Sequence, residues 1–361
     1  MGPVRTIRVL MVIFSLFASL CHAQIDNVQD LMRSGVDDAT LLLKAYLTPF
    51  GNGFGADLNS GWATSARTHR VLGFDITVSA NAAIAPESEK LFDITALGLQ
   101  NLRLVANENP LTPSVVGDDD PGPEVAVILN NPFTGQDEIV TTFRMPQGVG
   151  FRYVPSPMVQ AAIGVPLNTD VIIRYFPEIT FDNDVGRMKM GGIGIKHELN
   201  QWLPGGNMLP FDLAVLLGVT TFQAEADLEV NPDPQAIQTG ASYDFQQVDI
   251  EATAFAFNIM ISKKLAVLTL FGGVGIESSS LDIKLEGRFP VTLIETEPLS
   301  PNFGKTVIVD FEDPVHLSFN GANSARANVG VQLELAILSA YLSYTFSEYP
   351  VATAGIGFTL R

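Results

Sequence analysis

The stretch "GGIGIKHELNQW", Gly191 to Trp202, holds the residue types most able to do chemistry. His197-Glu198-Leu199-Asn200-Gln201 opens like the zinc motif H-E-x-x-H, in which two imidazoles one helical turn apart hold the metal and the glutamate activates water. Gln201 stands where the second histidine is required, and the alternation around it reads as strand, so zinc hydrolysis is poor chemistry here. "GGIGIK", Gly191 to Lys196, mimics a phosphate-binding loop, but no helix opening on Lys-Ser/Thr follows it. Small residues in a strand, where another backbone or side chain approaches closely, are the plainer reading. Beyond the leader the histidines are His69, His197 and His316, none with a triad partner visible in sequence, and no G-x-S-x-G elbow occurs. These residues predict no enzyme and no cofactor.

Acidic clusters call for the same weighing. Asp118, Asp119 and Asp120 precede Pro121-Gly122, and Asp182 and Asp184 precede Gly186. Calcium takes 6 to 8 oxygen ligands, but neither cluster has the twelve-residue register with its closing glutamate, so solvated turns are expected and no metal. Hydrophobic residues make up 47% of the chain and charged ones 17%, with a formal charge of -18. Nucleic acid is excluded as a partner, because there is no basic footprint.

The elements that position these residues belong to an exported chain. "MGPVRTIRVLMVIFSLFASLCHAQ" has Arg5 and Arg8, an apolar run from Val9 to Leu20, and small residues ahead of a cut after Ala23, the three-part grammar of a signal peptide over residues 1–23. The run is about 12 residues, short of the roughly 20 a membrane helix needs. Cys21 as a lipidation site is the alternative, with Leu20 larger than such a site normally tolerates. Cys21 is the only cysteine, so the mature chain has no thiol, disulfide or thiolate metal site, and losing Arg5 and Arg8 takes its formal charge from -18 to -20. The longest later apolar run, "FDLAVLLGVTTF" from Phe211, is broken by Asp212 and Gly218.

After the leader, residues 24–50 read as helical, closed by Pro49, and "GNGFGADLNSGW" reads as a flexible glycine and asparagine segment. Strand-type runs then take over: Val71 to Asn81, Leu97 to Val105, Met158 to Val165, Asp170 to Thr180, Met188 to Leu199, Phe211 to Glu225, Val248 to Ser262, Ala266 to Ser279, Arg326 to Leu335, Leu338 to Ser347 and Val351 to Leu360. Their uniform length and frequent aromatic ends match strands that cross a bilayer in about 9 to 11 residues. In lipid every backbone N–H and C=O must be paired, so only a closed sheet survives there. The expected fold is all-β: a closed antiparallel transmembrane β-barrel of about 12–14 strands (residues 63–361) with a short helical plug-like segment over residues 24–62. "SKKL" at Ser262 and "SEYPVA" around Pro350 read as tight turns, and long loops are expected near 106–147 and 286–320. In the closing stretch, period two places Leu342, Tyr344 and Phe346 toward lipid and Ser343, Thr345 and Ser347 toward the lumen.

Several stretches together, "AYLTPFGNGFGADLNSGW", "LGFDITVSANAAIAPES", "GVGFRYVPSPMVQAAIGVP", "GGIGIKHELNQWLPGGNMLPFDLAV" and "YPVATAGIGFTLR", resemble an uncharacterised family of Gram-negative outer-membrane barrels, a domain of unknown function. The likeness runs from about Asp37 to Arg361 and contains no catalytic signature. It implies a barrel in the outer membrane, with outer-membrane lipid around it and the barrel-assembly machinery as a partner. A looser architectural likeness is to the long-chain fatty-acid transporters, whose barrels carry an N-terminal plug. Many such barrels end on an aromatic residue, whereas this chain ends Phe358-Thr359-Leu360-Arg361, leaving Phe358 to serve in its place. The expected function is a channel or transporter for small or hydrophobic molecules. The alternatives are a structural or adhesive surface barrel working through its acidic loops, and a soluble periplasmic β-protein.

Overall fold

A computed structural model describes residue 32 and residues 34–130, 136–180, 186–237, 240–295, 299–321 and 323–360. The expected leader, residues 24–31 of the plug-like segment, and Asp182 and Asp184 lie outside the described residues. The helix α1 (Val36–Asn59) precedes all the strands among the described residues. The strands are β1 (Phe74–Ile84), β2 (Leu91–Asp93), β3 (Leu102–Leu104), β4 (Leu111–Pro113), β5 (Glu124–Asn130), β6 (Asp137–Arg144), β7 (Tyr153–Val165), β8 (Thr169–Thr180) and β9 (Arg187–Glu198). They continue as β10 (Asp212–Asp227), β11 (Gln246–Leu265), β12 (Leu268–Ile294), β13 (Thr306–Glu312), β14 (Val315–Asn320), β15 (Ser324–Leu335), β16 (Leu338–Phe346) and β17 (Val351–Leu360).

Pairing runs β11-β10-β9-β8-β7-β1-β17-β16-β15-β12, and β12 returns to pair β11, so ten strands close a ring in which every junction is antiparallel. The expected 12–14 strands are corrected to ten. Of the eleven runs read from sequence, Leu97 to Val105 is the one outside the ring: only Leu102–Leu104 of it is strand, and it pairs β5 in a separate small sheet. The long connections hold the remaining strands. β12 is 27 residues long, roughly 90 Å at about 3.3 Å per residue, and its far end pairs β13 to make a spur beyond the ring.

The ring has unlike ends. At one end the connections are short: Leu167 and Asn168, both with positive φ, turn β7 into β8, and Ala266 and Ala336 begin the turns after β11 and β15. "SKKL" is therefore strand, not turn. At the other end lie residues 85–152, with β2 to β6, and the connections after β10 and β12.

Successive side chains point in and out around the whole ring. Ile173, Tyr175, Ile193, Val274, Leu342 and Ile356 are exposed on the outer face, each between glycines or neighbours that are buried or half-buried. On β16, Leu342 and Phe346 are exposed and Tyr344 half-buried, whereas Thr345 is buried and Ser343 half-buried on the inner face. Ser347 lies one residue past β16, in the turn, where its hydroxyl donates to Tyr349 O at 2.8 Å.

α1 fills the lumen at the long-loop end. It does not stop at Pro49: it runs on through "GNGFGADLN" to Asn59, so this segment is helical and not a flexible linker. Its glycines serve close approach. A Cβ on Gly51 would stand 3.0 Å from the Phe319 ring, and one on Gly53 would stand 2.9 Å from a Val154 methyl. Around the helix the inner wall is apolar, with Met188, Met190, Leu281, Ile283, Leu317 and Phe319 in one core cluster with Leu42, Phe54 and Leu58. Phe54 meets Phe222 edge-on at 4.9 Å.

Closure of the ring between first and last strands can be checked directly. Val78 and Ile356 are partners across the β1–β17 junction, and no cysteine follows Cys21 in the sequence. Val78→Cys with Ile356→Cys is expected to oxidise to a disulfide in the folded protein and to reduce the mobility change on heating in a detergent gel. Absence of the cross-link in folded protein would contradict the pairing.

Candidate functional site: the plug seat inside the barrel

Below α1 the chain does not leave the ring. Residues 60–73 descend the lumen to the short-turn end, past the expected boundary at residue 62, and enter β1 at Phe74. The wall they meet is polar where the upper wall is apolar.

At the helix end, Leu58, Asn59 and Ser60 present carbonyls that no helical N–H can satisfy, and the last turn of α1 has no basic side chain of its own. The wall supplies the cations. Arg174, 1% exposed, donates through Nη1 to Leu58 O at 2.6 Å and through Nη2 to Ser60 O at 2.5 Å. Its further hydrogen bonds go to Gln160 Oε1, 3.3 Å from Nε, and Thr220 Oγ1, 3.3 Å from Nη1. Arg326 donates to Asn59 O at 2.7 Å and lies 3.2 Å from Glu277. Two strands on different sides of the ring thus cap one helix, and a buried guanidinium is held because several acceptors meet it at once.

One turn lower, the Trp62 ring stacks against Arg174, whose Cζ is 3.6 Å from the ring centroid. The indole lies on wall residues that have no side chain: a Cβ on Gly194 would come within 2.8 Å of it, and one on Gly218 would come closer still. A cavity of about 30 Å³ beside it is lined by Trp62, His69, Asp75, Gln160, Lys196 and Gln332 among others, space for about one water molecule.

The short-turn end is closed by ions. Asp170 takes the His69 backbone N–H at 2.9 Å, the His69 ring at 3.1 Å and Lys196 Nζ at 2.9 Å. His69 Nε2 lies 3.3 Å from Asp75, Lys196 also donates to Ser65 O and Arg67 O, and Glu198 takes the Thr68 hydroxyl at 3.2 Å. Burial acts to lower the His69 pKa, but the hydrogen bonds and charges of Asp170 and Asp75 outweigh it and leave it raised above the ordinary 6.5. At the opposite end Asp38 accepts the N–H groups of Gln100 and Asn101, Asn52 donates to Tyr349 OH at 3.2 Å, and Tyr349 donates to Glu89.

The residues singled out in sequence fall partly on this seat. "GGIGIK" lies in β9, where Gly194 receives Trp62 and Lys196 joins the ionic closure. His197 is at the end of the same strand on the side away from the plug, with Thr169 Oγ1 2.8 Å from Nδ1 and Trp202 Nε1 donating to Nε2 at 2.8 Å. Asp118 pairs with Lys90 at 2.9 Å in the long-loop layer. No group of three or more metal-ligating side chains occurs among the described residues. Sequence reasoning missed Arg174, Arg326 and Asp170, and for Arg174 a signal existed: it sits at inward parity between Ile173 and Tyr175, which face out.

The chain belongs to a family of unknown function (DUF6588), whose profile matches residues 4–360. No curated protein matches the sequence. Among solved structures it is similar to the translocator domain of the autotransporter NalP from Neisseria meningitidis, at 12% identity over 81% of this chain and 90% of that one, TM-score 0.28. It is similar to Ail, the attachment invasion locus protein of Yersinia pestis, at 10% identity over 81% and 99%, TM-score 0.23. It is also similar to the Ralstonia pickettii toluene transporter TbuX, at 6% identity over 85% and 94%, TM-score 0.24. Likeness at this level carries no functional argument, which leaves the chain's own side chains to indicate what it does.

Two outcomes are expected of the seat. In a Trp202→Phe background, which leaves Trp62 as the only tryptophan, Gly218→Ala should red-shift the emission and cost about 1–3 kcal/mol by overpacking; adding Trp62→Ala should remove most of that cost in a denaturant titration. Because folding raises the His69 pKa, its contribution is complete below about pH 6.5 and is lost as pH rises through the raised value. A spin label on Arg67→Cys should therefore gain mobility as pH rises from 6 to 9, and His69→Gln should flatten that dependence; a pH-independent spectrum in the parent protein would contradict the ionic closure.

Proposed function

We propose that this chain is an outer-membrane β-barrel that passes small or hydrophobic molecules when its N-terminal plug shifts. The reading is carried by one observation. Among the described residues, buried side-chain polar atoms without a hydrogen-bond partner gather where the plug meets the ring. They include Asn59 Oδ1 and Trp62 Nε1 on the plug, and Asp75 Oδ1, Asn258 Oδ1, Thr269 Oγ1 and Gln332 Oε1 on the wall. An interface selected only to be permanent would pair such atoms or replace them with carbon, because each costs about 1–3 kcal/mol when left unpaired. A wall that meets water or cargo when the plug moves has reason to keep them.

The outer surface supports a lipid surround: exposed Ile, Leu, Val and Tyr side chains circle the ring, as the apolar band of a membrane barrel does. Leu342, Tyr344 and Phe346 belong to that belt in this reading, with Ser343 and Thr345 toward the lumen. The apolar upper tier supports a cargo with hydrophobic character, and the polar lower tier a hydrated exit. The barrel-assembly machinery and outer-membrane lipid are its expected partners, and catalysis has no support in the side-chain geometry. A second reading, a surface barrel acting through its long loops, is favoured by the β12–β13 spur; it predicts no flux whether or not the plug is tethered.

Gly53 and Val154 provide the tether, since a Cβ on Gly53 lies 3.4 Å from Val154 Cβ, at the short end of what a disulfide spans. Gly53→Cys with Val154→Cys is expected to abolish solute flux into protein-loaded vesicles when oxidised and to restore it on reduction; equal flux in the two states would sink the moving-plug reading. Separately, Leu342→Arg should lose about 2–4 kcal/mol of folding stability in lipid if the site is near the midplane, measured as folding yield into vesicles, with Leu342→Met close to the parent.

A further inference from the structure

The connection from β9 to β10, Leu199 to Phe211, lies at the short-turn end outside the plug seat. Its sequence, "LNQWLPGGNMLPF", contains no charged residue, and it leaves Trp202 66%, Leu203 41% and Met208 89% exposed. Hydrogen bonds give it a fixed shape. Asn200 donates to Phe211 O at 2.9 Å and Gly206 O at 3.3 Å, and accepts the Leu213 N–H at 2.7 Å. Gln201 donates to Leu167 O at 2.8 Å, which ties the connection to the neighbouring β7–β8 turn, where Leu167 is itself exposed.

His197 places this segment on the outer side of the wall. Along β9 the buried Lys196 faces the lumen while Ile193 and Ile195 face out, so His197 faces out by parity. Register sets it between Thr169 and Val215, one step toward the short-turn rim from the outward row Val171, Ile195 and Leu217. An imidazole at the edge of an apolar belt has to use both nitrogens without carrying charge. Trp202 Nε1 can only donate, so Nε2 of His197 accepts it at 2.8 Å, and Nδ1 holds the ring proton toward Thr169 Oγ1, 2.8 Å away. The ring is therefore neutral while Trp202 is docked, and the indole has its N–H paired with most of its surface still uncovered. That combination suits the membrane–water interface, where an apolar body and a polar N–H are both accommodated.

Resting on the outer-membrane reading proposed above, we infer that the β9–β10 connection is a membrane anchor, with Trp202, Leu203, Met208 and Leu167 set into the headgroup–acyl boundary of the phospholipid leaflet at the short-turn rim. The uncharged patch continues the belt without a break through Thr169, His197 and Val215, so its occupant is the lipid that surrounds the belt. Trp202, Leu203 and Met208 lie beyond the strand ends, and the anchor adds to the belt. It grips from the lipid side the strands β8, β9 and β10, whose inner faces carry Asp170, Arg174, Gly194, Lys196 and Thr220 toward the plug. His197 is its positioning residue.

Trp62 and Trp202 are the two tryptophans of the chain, and Trp62 is buried in the lumen, so emission of the full protein in phosphatidylcholine vesicles reads the anchor. Lipid brominated near the headgroup end of its acyl chains is expected to quench the parent more than lipid brominated near the chain methyl, and Trp202→Phe should lose that quenching. His197→Leu, which leaves the indole N–H without its acceptor, should move part of the Trp202 quenching from brominated lipid to acrylamide in the water; unchanged quenching would overturn the role given to His197. Leu342→Trp in the Trp202→Phe background reads the belt separately. If the belt tryptophan is quenched by brominated lipid while Trp202 is quenched only by acrylamide, the anchor is wrong and the membrane reading stands. If Trp202→Phe is quenched as strongly as the parent, the signal does not come from this connection and the anchor is overturned. If neither tryptophan responds to brominated lipid, the outer-membrane reading fails and the anchor with it.

Discussion

Closure of the backbone ladder is the constraint on which everything else here depends. Each of the ten ring strands pairs on both sides, with β11 to β12 and β1 to β17 as the junctions that complete the circle. A ring with no free edge leaves no backbone group in the wall searching for a partner, and it fixes an inside and an outside for every side chain. A slip of one residue at any junction would carry apolar belt residues into the lumen and Arg174 or Asp170 out to the belt. The polar interior and apolar exterior therefore hold the register as firmly as the hydrogen bonds do.

What fills the ring is its own N-terminal segment, and the energetics of that filling differ along the axis. Around α1 the contact is carbon on carbon, with glycines at Gly51, Gly53 and Gly55 bringing helix and wall into close contact. Lower down it is ionic: Arg174 and Arg326 on the helix carbonyls, then Asp170, Lys196 and His69 at the short-turn end. Buried charges are a poor source of net stability, since desolvation offsets most of their attraction, but removing one partner is costly. Such a seat specifies one position for the plug without making that position deep. The unpartnered atoms between plug and wall have the same consequence.

Much of the wall was legible in the sequence and little of the plug. Period-two alternation located ten runs that are the ten ring strands, because inward and outward parity is a local property. The expectation of 12–14 strands exceeds the ten of the ring; residues 85–152 and the β12–β13 spur hold strands that lie outside it. Pro49 and the glycines after it read as a helix end and a linker, since their reason, the approach of Phe319, Val154 and Ser279, is contact with residues distant in sequence. His69 and Asp170 are 101 residues apart, and nothing local marks them as partners. Gly194 and Lys196 were noticed for a nucleotide-like pattern and belong instead to the surface that receives Trp62 and residues 65–69.

Plug and wall, on this account, are separate cooperative units joined by a polar seat. Native-state hydrogen exchange of the folded barrel in detergent or lipid reads this directly, because exchange reports the free energy of opening residue by residue. Amides of α1 and residues 60–72 should exchange well before those of β1, β16 and β17, with the wall still closed when the plug is fully exchanged. Plug amides protected as strongly as the wall, and lost with it in one step, would show a single packed body and contradict the account.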